Sequence, residues 1–387
     1  MRFIPGNKML TVALILGLTI AFTVSSSSNV DSLYPEFTAY KEQKKSLYVW
    51  SHATTNRLDD TPAWILLVKN KSGEIEKLAD FCSLHGFNNV IFFAGSVEWE
   101  YEDYYSKGVL PYEDDYIYNI QYLASKGIST DLMVYLNDDP NNMTDYQHID
   151  AVARIAQRLR DEGVPLNTLH IDQEPSKQNR YADLLRMLSI ASQYIDVGVS
   201  LKPQWVREKL SSITAQFKVE SVMDEISALQ EYTPTEDSTF SDLILMIAPK
   251  SIVMAYSNST ETSIRIGKQA VDSLCRAFPN EDNPKVIEFA VETGYVNDLD
   301  EAETLHYWIK KNKPLWFNKI RCLSNSLLGY AKRNGVEGGL VIHDYAQYYS
   351  TLYCVSPALD VKEQTRPYEI CSDEAERGII MSVLNGC

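Results

Sequence analysis

Short β-rich runs recur along this chain at residues 47–50, 89–94, 130–136, 168–171, 196–201, 251–256, 286–291 and 339–343, with longer stretches between them. Most of these eight runs are continuously apolar rather than alternating. That is the pattern of parallel strands covered on both faces. The stretches between them carry helical stripes. Ile149, Val152, Ala153, Ala156 and Leu159 form one, Tyr181, Leu184, Leu185, Leu188, Ala191 and Ile195 a second, and Val271, Leu274, Cys275 and Phe278 a third. Eight strands each followed by a helix is the arithmetic of an α/β fold, a (β/α)8 barrel. A doubly wound sheet is the competing architecture, but it normally carries a Gly-rich phosphate turn after its first strand. Here that strand runs into Ser-His-Ala-Thr-Thr-Asn, and neither G-x-G-x-x-G nor a P-loop occurs. No cofactor is expected.

The chain reads as a leader, one barrel and a tail. Arg2 and Lys8 precede an apolar run over 9–24 and then four serines, Ser25 to Ser28, which reads as a signal peptide over 1–28, with an uncleaved anchor as the alternative. The barrel is expected over 29–353 and a cysteine-bearing extension over 354–387. The 6 cysteines are an even number with no C-x-x-C spacing. They suit disulfides in an oxidising compartment, the cell exterior or the secretory lumen, rather than metal ligation. Three of them, Cys354, Cys371 and Cys387, are expected to tie down the extension. Sequons at Asn70, Asn142 and Asn258 fit a secreted glycoprotein. A net charge of −16 without a basic stripe argues against nucleic acid or an anionic membrane as partner. Stable membrane insertion after leader cleavage is not expected.

If the strands close into a barrel, their C-terminal ends gather on one rim, where such folds build their sites. The fourth run, residues 168–175, is Thr-Leu-His-Ile-Asp-Gln-Glu-Pro. Asp172 and Glu174 stand two apart on extended chain and therefore face one side. The other ends contribute Trp50 and His52, Glu98 and Trp99, Tyr135, Lys202 and Trp205, Tyr256, Glu292, and His343 with Tyr345. Carboxylates suit acid/base work and aromatic faces suit pyranose rings, so the rim points to a carbohydrate substrate. Glu174, Asp172, Glu292 and Tyr256 are the catalytic candidates. Trp50, Trp99, Tyr135, Gln173, Trp205, His343 and Tyr345 are the substrate-binding candidates. His52, His170 and His343 lack H-x-H or H-E-x-x-H spacing, so no metal is assigned.

These strand ends resemble two groups of glycoside hydrolase barrels. The chitinase-like family ends its fourth strand D-x-x-D-x-D-x-E, carries M-x-Y-D or M-x-Y-N on its sixth and often G-G-x-M-x-W on its eighth. The chain is similar in Asn167-Thr-Leu-His170-Ile-Asp172-Gln-Glu174, in Met254-Ala-Tyr256-Ser257 and in Gly338-Gly339-Leu-Val-Ile-His343. Asn167 and His170 replace the first two aspartates, and His343 replaces the tryptophan. That resemblance implies Glu174 as the acid, with Asp172 and Tyr256 holding a substrate N-acetyl group that acts as nucleophile. The second group is the retaining clan with catalytic glutamates ending strands four and seven. Gln173-Glu174-Pro175 and Ala290-Val291-Glu292 look like its arrangement, which implies Glu174 as acid/base and Glu292 as nucleophile. Both routes lead to a secreted glycoside hydrolase of oligo- or polysaccharides, including amino-sugar substrates. A non-catalytic, lectin-like barrel and a hydrolase of another bond, such as an amide, are the alternatives.

Overall fold

The computed structural model describes residues 44–49, 73–97, 110, 112–136, 146–175, 177–217, 219–255, 257, 259–279, 286–292, 316–343 and 345. Eight parallel strands follow one another around a closed barrel. They are β1 (Lys45–Val49), β2 (Asn89–Val97), β3 (Ser129–Leu136), β4 (Leu166–Asp172), β5 (Val197–Leu201), β6 (Lys250–Val253), β7 (Val286–Glu292) and β8 (Glu337–His343). Closure is made by β8 on β1, with Leu47 beside Ile342. This pairing excludes the open doubly wound sheet, which leaves two free edges.

Around the barrel run α1 (Glu74–His85), α2 (Glu113–Ser125), α3 (Tyr146–Asp161), α4 (Tyr181–Ser192), α5 (Leu210–Phe217), α6 (Val219–Glu225), α7 (Ser227–Gln230), α8 (Phe240–Ile247), α9 (Thr260–Ala277) and α10 (Trp316–Arg333). The long connection after β5 holds α5 to α8. The apolar stripes on α3 and α4 are buried against the strands, as their spacing requires. On α9, Ser259 caps the first turn by accepting a hydrogen bond from the Thr262 amide. The sixth strand ends at Val253, short of the expected reach to residue 256.

Alternation along each strand separates two apolar bodies. Outward residues such as Leu47, Phe92, Leu169 and Phe289 join the helices in one large core. Inward residues Tyr48, Ile91, Phe93, Met133, Ile252, Ala290 and Val341 fill the barrel. The interior is layered up β4, whose alternate residues Thr168, His170 and Asp172 climb from floor to rim.

The floor is polar. Asp131 accepts hydrogen bonds from Asn89 (2.8 Å), Asn167 (2.8 Å) and Thr168 (2.5 Å), while Ser46 donates to Glu288 at 2.7 Å. Lys44 lies 3.3 Å from Glu288 and 3.6 Å from Asp131. Burial alone would push the Asp131 carboxyl up, but Lys44 and the hydrogen bonds from Thr168 and Asn89 hold it below its ordinary range. Asn167, where the chitinase-like pattern has its first aspartate, thus belongs to the floor. The bulk of the Glu288 side chain is admitted because the facing residue on β8 is Gly339, where a Cβ would come within 2.9 Å of Glu288 Cγ.

Three of the six cysteines lie among the described residues. Cys82 is a free thiol, wholly buried on α1, and Cys322 is free on α10. Burial pushes the Cys82 thiol well above its ordinary range, so it stays protonated and packs as a small apolar group. The tail cysteines, the leader and the sequons at Asn70, Asn142 and Asn258 lie outside the described residues. No helix among the described residues is long and apolar enough to cross a membrane.

Candidate active site

The middle layer of the barrel carries a compact polar cluster. The Tyr48 hydroxyl on β1 lies 3.1 Å from His170 Nε2 and 3.2 Å from Ser200 Oγ, and His170 Nε2 lies 3.0 Å from Ser200 Oγ. His170 reaches this position because its neighbour on β5 is Gly198. A Cβ there would stand 2.9 Å from His170 Nδ1 and 2.7 Å from the Lys250 carbonyl. Burial pushes the His170 imidazole down to about 4, so it is neutral near pH 7. Burial, followed by the nearby Asp172 carboxylate, pushes the Tyr48 hydroxyl well above its ordinary range.

Asp172 and Glu174 stand above this cluster. Both are partly exposed, whereas Gln173 between them is fully buried, which is the alternation expected of extended chain. Tyr135 flanks them from β3. It is paired in register with Asp172 and packs on the barrel interior.

The crowded rim strips water from the Glu174 carboxyl, and the like charge of Asp172 adds to this, so the group is pushed up to about 7. Lys202 and His343 pull in the opposite direction. Lys202 Nζ donates to the Glu174 carbonyl oxygen at 3.1 Å and lies 3.6 Å from Oε2 of its carboxylate.

Glu292 ends β7 in register with His343 on β8. His343 Nδ1 lies 2.8 Å from Glu292 Oε2, and because the carboxylate accepts, Nδ1 carries the hydrogen. The ring of His343 meets Tyr48 edge-on, with centroids 5.1 Å apart. Tyr48 thus touches His170 in the middle layer and His343 at the rim. The arrangement offers a proton donor, a second oriented carboxylate and a neutral polar base beneath them.

The structure buries three of the expected substrate contacts. Gln173 is wholly enclosed because alternation turns it away from the barrel axis. Trp205 is also wholly buried, in the outer core among Tyr181 and Phe240, with centroids 6.1 and 5.8 Å away. Tyr345 packs edge-on against Phe81 at 5.2 Å on the helix side of the barrel. None of these three presents a face to the barrel mouth. Trp50, Trp99 and Tyr256 lie outside the described residues.

The sequence reading missed the Tyr48–His170–Ser200 cluster and the grip of Lys202. A usable signal existed in the parity of the inward positions, 46 and 48 on β1, 198 and 200 on β5, and 202 just beyond it. Among the described residues, no group of three or more His, Cys, Asp or Glu side chains is arranged to hold a metal ion.

Neither the protein-family models nor the curated protein sequences match the chain. Solved structures do. A chitinase from Bacteroides thetaiotaomicron is 11% identical with a TM-score of 0.47, over 79% of this chain and 90% of that one. An endo-1,4-β-D-mannanase from Thermotoga petrophila is 9% identical with a TM-score of 0.47, over 88% and 98%. A glycoside hydrolase family 5 enzyme from Prevotella bryantii, solved with a xyloglucan oligosaccharide, is 11% identical with a TM-score of 0.43, over 80% and 91%. The architecture resembles that of distant glycoside hydrolase barrels. At such identities and TM-scores the fold rests on the closed eight-stranded barrel itself, and the site is argued from its own residues.

Proposed function

We propose that the protein is a secreted glycoside hydrolase acting on an oligo- or polysaccharide, with Glu174 as the general acid. The observation that carries this reading is the Glu174 carboxyl, pushed up to about 7 by burial and by Asp172 at the end of β4. A carboxyl of this kind keeps its proton near neutral pH and can give it to a leaving oxygen as the glycosidic bond breaks. Amino-sugar substrates belong to the same proposal, because the Asp172 carboxylate beside Glu174 suits an acetamido N–H.

Two routes complete the reaction. In the first, Glu292 attacks the anomeric carbon while Glu174 protonates the departing oxygen. Glu174, now a carboxylate, then takes a proton from the water that cleaves the glycosyl ester. In the second, the substrate's acetamido oxygen attacks in place of Glu292, with Asp172 holding its N–H. The hydrogen bond from His343 favours the first route, since it orients the Glu292 carboxylate at the rim.

The test is turnover of a panel of aryl glycosides and amino-sugar oligomers by the wild type and by Glu174→Gln. Loss of the acid should slow cleavage of poor leaving groups by about 10²–10⁴-fold, and of activated aryl groups much less. A fully active Glu174→Gln variant refutes both routes. Glycan binding without turnover by the wild type identifies the lectin-like alternative instead.

A further inference from the structure

We propose that Lys202 is a positioning residue for Glu174, one ammonium group gripping both the main-chain carbonyl and the carboxylate of the same residue. The inference rests on Glu174 being the acid and adds what holds that acid in place. The geometry follows from the barrel register. Strands β4 and β5 pair Leu169 with Val197 and Ile171 with Val199, and continuing that step sets residue 202 beside residue 174. Lys202 shares the inward parity of Gly198 and Ser200, so its side chain enters the barrel mouth rather than the helix layer.

The two contacts differ in kind. The hydrogen bond to the Glu174 carbonyl, 3.1 Å long, does not depend on the protonation state of the carboxyl. The 3.6 Å approach to Oε2 is an ion pair and is strongest when Glu174 is ionised. Lys202 therefore holds the residue in both halves of an acid/base cycle. Its charge also favours recovery of the carboxylate after the proton has left.

Lys202 is itself held. Its carbonyl accepts from the Trp205 amide at 3.1 Å, and the Trp205 carbonyl accepts from the Ser241 amide at 3.2 Å. The buried Trp205 ring anchors this turn against Tyr181 and Phe240. Glu208 closes the other side. It accepts from Tyr181 at 2.8 Å and from Gln178, which lies just beyond Glu174 in sequence. The loops after β4 and β5 are thus fastened to each other, and Lys202 reaches from one to the acid on the other. Trp205, enclosed in the core, acts on the site through this anchor.

The charged and titratable groups acting on Glu174 are Asp172 on β4, Lys202 after β5 and His343 on β8, with Glu292 on β7 behind His343 and Tyr48 on β1 beneath. Asp172 raises the Glu174 carboxyl, whereas Lys202 and His343 lower it.

The experiment is a ¹³C-carboxyl NMR titration of Glu174 in the folded full chain, with Glu174→Gln used to assign the signal. The variants Lys202→Met and Lys202→Arg are compared with the wild type. Loss of the ammonium should raise the Glu174 midpoint by roughly one unit, and Lys202→Arg should return it toward the wild-type value. On any substrate the wild type cleaves, Lys202→Met should lower kcat about ten- to a hundredfold with little change in KM, because the acid is no longer fixed in place. An unchanged midpoint with an unchanged kcat overturns the proposal. If Lys202→Met does not fold, Lys202→Gln replaces it. That variant keeps a polar side chain but lacks the charge, so the midpoint should rise as before, and a midpoint that stays put overturns the proposal equally. If the wild type cleaves no substrate, the glycosidase reading fails, while the titration still decides the role of Lys202.

Discussion

Replacing Asp172 with Asn isolates the like-charge part of what holds Glu174 protonated. Residues two apart on a strand are separated by about 6.6 Å along the chain, twice the rise of about 3.3 Å per residue. The Glu174 side chain is 35% exposed, so the interaction is partly screened. With an effective permittivity of about 40, between the near-surface and bulk-water values, two unit charges at that spacing repel by about 1.3 kcal/mol. That corresponds to roughly one pKa unit. The Glu174 carboxyl, pushed up to about 7 in the wild type, should therefore titrate near 6 in Asp172→Asn. At pH 7 the protonated fraction then drops from about one half to about one tenth, a roughly fivefold loss of the acid form. At pH 5 both proteins keep Glu174 almost fully protonated.

The assay is the carboxyl titration together with kcat/KM at the two pH values. The ratio of wild-type to variant activity should be about fivefold greater at pH 7 than at pH 5. Any loss common to both values reports a separate contact of Asp172 with substrate. A Glu174 midpoint that does not move in Asp172→Asn refutes the charge argument, whatever the variant's activity.

Gly198→Ala should destabilise the protein by about 1–3 kcal/mol, since its methyl would press on the Lys250 carbonyl at 2.7 Å and on His170. Gly329→Ala on α10, whose methyl would meet only the end of Arg333 at 3.5 Å, should be neutral or stabilising in the same chemical denaturation. Equal stability of Gly198→Ala and the wild type would remove the steric account of the middle layer. His170 gives a pH dependence of definite sign. Its folded value, about 4, lies below the ordinary 6.5, so its contribution to stability is present above about pH 6.5 and is lost as the pH falls through 6.5 towards 4. Thermal melts across that window should show a shallower acid-side decline for His170→Gln than for the wild type. An identical slope would show that His170 does not titrate as its burial implies.

Much of the fold was legible from the chain because parallel strands buried on both faces are read from composition alone. All eight runs became strands, and the α3 and α4 stripes became buried helix faces, since periodicity dictates which side of a helix leaves water. The pairing of Asp172 with Glu174 was likewise a local matter, settled by alternation over three residues. That same alternation places Gln173 in the core. Whether an aromatic residue beyond a strand end faces the mouth or the outer shell depends on how the following loop folds back. Trp205 and Tyr345 were decided there, by Phe240 and Phe81, which are distant in sequence. The contacts of Tyr48 with His170 and Ser200, of Lys202 with Glu174 and of His343 with Glu292 join separate strands, so they exist only once register and closure are set. Local sequence determined which side chains could reach the barrel axis. Only the closed barrel decided which of them meet, because distance between strands is a property of the sheet rather than of any one stretch of chain.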